Sequence, residues 1–93
     1  MASRTLARLR ELVRQRRYVV SSHATEELED DNLTVFDLES IVLTGEVTER
    51  QRDAVTREQK YLIRGHTLSD APACVVTKFD STGRAVIITV YAE

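Results

Sequence analysis

The chain holds 93 residues, 42% of them hydrophobic and 30% charged, which fits one small domain with one modest core. The single cysteine, Cys74, excludes an internal disulfide framework, and no apolar run is long enough to span a bilayer, so the expectation is a cytoplasmic domain without a membrane partner. The formal net charge of −2 hides a split: residues 1–17 carry six arginines and one acid, whereas residues 26–49 carry nine acids and neither Lys nor Arg.

In chain order, Leu6, Leu9, Leu12 and Val13 fall on one stripe at helical spacing, flanked by Arg4, Arg8, Arg10 and Arg14. Residues 4–16 therefore read as an amphipathic helix, with Ser3 able to cap its start and Arg16 and Arg17 facing the negative end of its dipole. Tyr18-Val19-Val20 is β-prone but short. Ser21 or Ser22 then caps a second helix to about residue 31, and Asp30-Asp31-Asn32 breaks it. Thr34 with Asp37 three residues on resembles a capping box that opens a third helix, burying Val35, Leu38, Ile41 and Val42. Gly45 is placed as its left-handed stop.

After Gly45 the period changes from helical to alternating. Glu46 to Arg52, Gln59 to Arg64, Ala73 to Phe79 and Arg84 to Tyr91 read as strands, with Asp80-Ser81-Thr82-Gly83 as a hairpin turn. Consecutive strands with short connections pair antiparallel. The predicted fold is thus α+β: about three N-terminal helices packed on a four-stranded antiparallel meander, in a single domain over 1–93. Both alternating sets of the last strand are apolar, which places it inside the sheet. The leucine stripe flanked by arginines also permits a homodimer.

The chain has no Gly-rich phosphate loop, no paired-cysteine zinc pattern and no His-Glu-x-x-His, so neither a metal nor a cofactor is expected. His23 stands at a predicted helix start, where the dipole favours a neutral imidazole, and Glu27 follows four residues on along the same face. Lys60, Arg64 and His66 alternate along one strand, where Arg can hold phosphate oxygens in a bidentate fork. Metal-free RNA cleavage needs a group to take the 2′-hydroxyl proton, a group to protonate the leaving oxygen, and cations on the phosphate. His23, Glu27, Lys60, Arg64 and Tyr91 are the catalytic candidates, and Arg4, Arg8 and His66 the RNA-binding ones.

Ser22-His23-Ala24-x-x-Glu27-Leu28, Asp37-Leu38-Glu39, Thr44-Gly45-Glu46, Tyr61-x-x-x-Gly65 and Val86-Ile87-Ile88-Thr89-Val90-Tyr91 together carry a resemblance. They resemble a bacterial domain-of-unknown-function family with a His-Ala-x-x-Arg-Met helix start and an Ile-Ile-Thr-x-Tyr last strand. The resemblance covers about residues 18–92 and leaves the Arg-rich residues 1–17 outside. It implies a fold akin to RelE/ParE-type toxins and a ribonuclease toxin paired with an antitoxin protein, with His23, Thr89 and Tyr91 as site residues beside Lys60 and Arg64. Two positions depart from it: Glu27 stands where the family shows Arg, and Leu28 where it shows Met. The other expectation is a non-catalytic protein-binding module, in which the acidic stretch from Glu26 to Glu49 contacts a basic partner.

Overall fold

The computed structural model describes residues 4–93, so the Ser3 cap lies outside the described residues. Helix α1 runs Arg4–Arg14, strand β1 Tyr18–Val20, helix α2 Ser22–Asp30 and helix α3 Val35–Thr44. Strands β2 Glu46–Arg52, β3 Gln59–His66, β4 Pro72–Phe79 and β5 Ala85–Ala92 follow. Among the described residues no helix is long and apolar enough to cross a membrane.

Local chemistry accounts for the helix ends. Ser21 Oγ accepts the Ala24 N–H at 3.0 Å and starts α2. Thr34 and Asp37 form the full capping box of α3. Helix α1 stops with Arg16 at φ 56°, Arg17 N–H bonding Leu12 O and Arg16 N–H bonding Val13 O; Asn32 repeats this pattern after α2 at φ 57°. Gly45 corrects the predicted stop: its backbone is extended, at φ −91° and ψ 178°, not left-handed. What Gly45 supplies is space, because a Cβ there would collide with Ile41 O, Ile63 Cγ2 and Arg64 O.

The sheet corrects the predicted fold. It has five strands in the order β1-β5-β4-β3-β2, and β1 pairs parallel with β5 through Tyr18↔Ala85, Val19↔Val86 and Val20↔Ile87. The four-stranded antiparallel meander of RelE type is therefore replaced, among the described residues, by three helices on a five-stranded mixed sheet. The cause is length. Three residues carry no usable periodicity, and the partner of β1 lies at the far end of the chain.

All three helices lie on one face of the sheet. Ala24, Leu28, Leu38 and Ile41 pack with Ala73, Val75, Ile87 and Val90. Leu6, Leu9, Leu12, Val13 and Val42 pack with Ile63 and Ala85. The leucine stripe of α1 is thus used inside its own chain. Arg10 fixes α1 against the end of α3, donating to Gly45 O at 2.8 Å and Val42 O at 3.4 Å. Among the described residues the other face of the sheet carries no helix, and most of its side chains are half-buried or exposed.

Candidate functional site

Strict alternation along β2 would put Glu49 on the helix-covered face with Val47. The register shifts between these residues, so that Val47 stands opposite Ile63 and Glu49 opposite Leu62, with Thr48 as the extra residue. Glu49 consequently turns to the open face, beside Gln51, which stands opposite Lys60. A second shift occurs between β4 and β5: Thr77 stands opposite Ile87 and Val76 opposite Thr89, which leaves Ile88 as the extra residue. That shift turns Thr89 and Tyr91 to the open face while returning Val90 to the core, where it is fully buried.

The two displaced side chains line one pocket. Glu49, Gln51, Lys60 and Tyr91 surround a pocket of about 180 Å³ floored by Leu62 and Val76. Gln51 Nε2 donates to Glu49 Oε1 at 3.0 Å and orients that carboxylate. Among the described residues neither Glu49 nor Lys60 takes part in an ion pair. The Tyr91 phenol is held above its ordinary pKa by its contact with the Cys74 thiol, then by burial and the negative charge of Glu93 and Glu49. It therefore keeps its proton at neutral pH.

The next row of the open face runs Glu46, Arg64, Cys74 and Tyr91 across β2 to β5. Arg64 is bridged to Glu93 at 2.7 Å, and Glu93 also accepts from Cys74 Sγ at 3.0 Å. The Cys74 thiol and the Arg64 charge hold the Glu93 carboxyl below its ordinary range. Burial comes first among the causes that push the Cys74 thiol up, which disfavours its thiolate, and the residue is buried.

The sequence candidates thus separate. Lys60 and Tyr91 line the pocket, Arg64 lies in the adjoining row, and half-buried Thr89 shares the face opposite Val76. His23 lies elsewhere, on α2 beside the edge of β5, with its side chain 66% exposed. Neighbouring strands are about 4.8 Å apart, so β3 with Lys60 and Arg64 lies about 10 Å from β5. The intervening strand is β4. Glu27 is structural here: its Oε1 accepts the Val90 N–H at 3.0 Å and sits 3.3 Å from His23 Nε2. With Asp31, which accepts the Ala92 N–H at 3.3 Å, it caps the β5 edge beyond the end of β1. His66 is exposed at the end of β3, where its backbone bonds Thr44 and Ser40 of α3. Arg8 lies over the Phe79 ring at 4.0 Å, away from the pocket, and Arg4 is exposed at the start of α1.

Sequence reasoning missed Glu49 and Gln51. Glu49 closes the acidic run and Gln51 lies in a predicted strand, but nothing in Glu-Val-Thr-Glu-Arg-Gln-Arg marks the extra residue that turns Glu49 over. Among the described residues there is no group of three or more His, Cys, Asp or Glu able to hold a metal ion. No match was found among curated proteins or among solved structures. Residues 20–92 match the family described as "Domain of unknown function (DUF4258)", from the end of β1 to the end of β5, and the chain belongs to that family.

Proposed function

We propose that this domain is a metal-independent ribonuclease, the toxin of a cytoplasmic toxin–antitoxin pair, whose reaction centre is the pocket on the open sheet face. The observation that supports this reading is that Lys60 and Tyr91 line one pocket with an apolar Leu62–Val76 floor, with Arg64 in the next row. Cleavage of RNA through its own 2′-hydroxyl forms a 2′-O–P bond and breaks the P–O5′ bond, leaving a 2′,3′-cyclic phosphate and a 5′-hydroxyl. Lys60 offers an ammonium for the phosphate oxygens, and Tyr91 a hydroxyl that donates a hydrogen bond. Arg64 binds a second phosphate oxygen after exchanging its bridge to Glu93.

Expression of the protein alone should arrest growth, and co-expression of an antitoxin should relieve the arrest. Purified protein should cut single-stranded RNA with a chelator present and leave an all-2′-deoxy copy whole. Lys60→Ala should lower the rate by about 10²-fold or more, the usual scale for losing a positioned catalytic group. Harmless expression together with uncut RNA sinks the reading. Loss of cleavage in His23→Ala but not in Lys60→Ala would move the centre to the β5 edge.

A second reading, a non-catalytic protein-binding module, draws on a different surface. Phe36 and Leu43 share the outward stripe of α3 and are exposed, as is Leu68 in the loop after β3. The segment that carries the stripe, residues 26–49, holds nine acids and no Lys or Arg of its own, with Arg10 reaching only the C-terminal end of α3, which suits a basic, apolar partner segment. Phe36→Asp should then abolish complex formation with a co-expressed antitoxin while Lys60→Ala leaves it intact.

A further inference from the structure

We propose that Glu49 is the group that accepts the 2′-hydroxyl proton, and that the Thr48 bulge exists in this fold to aim it. This rests on the ribonuclease reading and adds the function which that reading lacks. Arg64 stays charged and cannot accept a proton, and an ammonium at Lys60 has no lone pair to offer. Tyr91 keeps its proton at neutral pH because Cys74, burial and the nearby carboxylates all favour the neutral phenol. Glu49 is the carboxylate lining the pocket. An ionised carboxylate has two acceptor oxygens. Gln51 takes Oε1 and leaves Oε2 for the substrate.

The backbone argument is independent of this chemistry. A one-residue register shift exchanges the faces of every residue beyond it. The shift at Thr48 brings Glu49 over, and the shift at Ile88 brings Tyr91 over. A bulge on β2 alone would be explained by protection of a free edge from pairing with other chains. Edge protection does not explain the shift at Ile88, which lies on the β4–β5 ladder, where α2 already covers the far side of β5 through Glu27 and Asp31. Both shifts deliver a polar side chain to one pocket, the use of bulges expected beside a reaction centre.

In the reaction the Glu49 carboxylate takes the proton from the 2′-hydroxyl as that oxygen bonds to phosphorus. The P–O5′ electron pair goes to the leaving oxygen, which takes a proton from Lys60 or water. The test compares wild type, Glu49→Gln and a chain lacking Thr48 in cleavage of one RNA oligonucleotide. Binding is measured on its all-2′-deoxy copy, which cannot react. Glu49→Gln should cut about 10²- to 10⁴-fold more slowly, the usual range for general-base catalysis, and should bind the deoxy copy as wild type does. Deleting Thr48 returns Glu49 to the helix side and should lose the same rate; Glu49→Gln decides the matter if that deletion fails to fold. A wild type that cuts RNA while Glu49→Gln cuts equally well overturns the role of Glu49 and leaves the ribonuclease reading standing. A wild type that cuts no RNA overturns both.

Discussion

Glu27 is half-buried at the β5 edge, and its neighbours define its work. Its Oε1 accepts the Val90 N–H, a donor that no strand reaches because β1 ends opposite Ile87. A buried or half-buried donor left unpaired costs about 1–3 kcal/mol. Glu27→Ala should therefore lower the stability measured by urea unfolding by an amount in that range, whereas His23→Ala, at an exposed side chain, should stay within about 0.5 kcal/mol of wild type. Equal losses in the two variants would mean that the His23–Glu27 contact, not the Val90 bond, holds the edge. The His-carboxylate pair was readable in the sequence from the four-residue spacing. The backbone donor it serves was not, because the point at which β1 ends along β5 leaves no mark in composition.

Asp80 offers a test by pH. Its carboxylate accepts from Thr82 Oγ1 at 2.7 Å, Thr82 N at 2.8 Å and Arg84 N at 3.0 Å. The Thr82 hydroxyl, those N–H groups and the Arg84 charge bring its pKa down to about 2 from 3.8. A carboxyl whose pKa is lower folded than unfolded gives stability that is fully present above the unfolded value and is lost as pH falls through the folded one. Wild type should thus lose stability between about pH 4 and pH 2. Asp80→Asn should show a smaller loss over the same window. Parallel curves for the two proteins would show that the turn does not depend on the charge. Asp37 and Asp53 are lowered for similar reasons and contribute to both curves alike.

At the scale of elements, α3 approaches β3 so closely that backbone meets backbone. A Cβ on Gly65 would collide with Ile41 O, and further atoms of Thr44 and Gly45 stand within 3.0 Å. The obstructing carbonyl is part of a helix and cannot rotate aside as a side chain can. Overpacking of this kind costs about 1–3 kcal/mol, and Gly65→Ala should lower the thermal midpoint accordingly. An unchanged midpoint would mean that α3 can slide outward freely. The strand's existence was legible from alternation, as were the helix starts from Ser21 and from Thr34 with Asp37. The parity of Lys60, Leu62 and Arg64 was also visible, and it does place them on one face. Whether Thr89 and Tyr91 share that face was not visible, because the answer turns on Ile88 being an extra residue in a run of uniformly β-prone side chains. Periodicity counts residues, whereas faces depend on which residues the ladder skips.

For the whole molecule the open question is how much of the chain the domain needs. The family match begins at residue 20, so α1 lies outside it. The packing argues that α1 is nonetheless part of this core. Leu9 is 1% exposed, and its stripe shares a cluster with Val42, Ile63 and Ala85, residues inside the match. Arg17 O also accepts the Ala85 N–H at 3.3 Å, and β1 follows directly. The amphipathic stripe was legible in the sequence, but whether it covered its own sheet or a second copy was not, since an apolar face carries no address. Leu→Ala in a packed core costs about 2–5 kcal/mol, a large share of the roughly 5–15 kcal/mol that holds a domain folded. Leu9→Ala should therefore lower the stability measured by urea unfolding by about 2–5 kcal/mol at every protein concentration, because the contact lies within one chain. A stripe that served a dimer would behave differently: Leu9→Ala would leave a diluted sample as stable as wild type and change only its mass in solution.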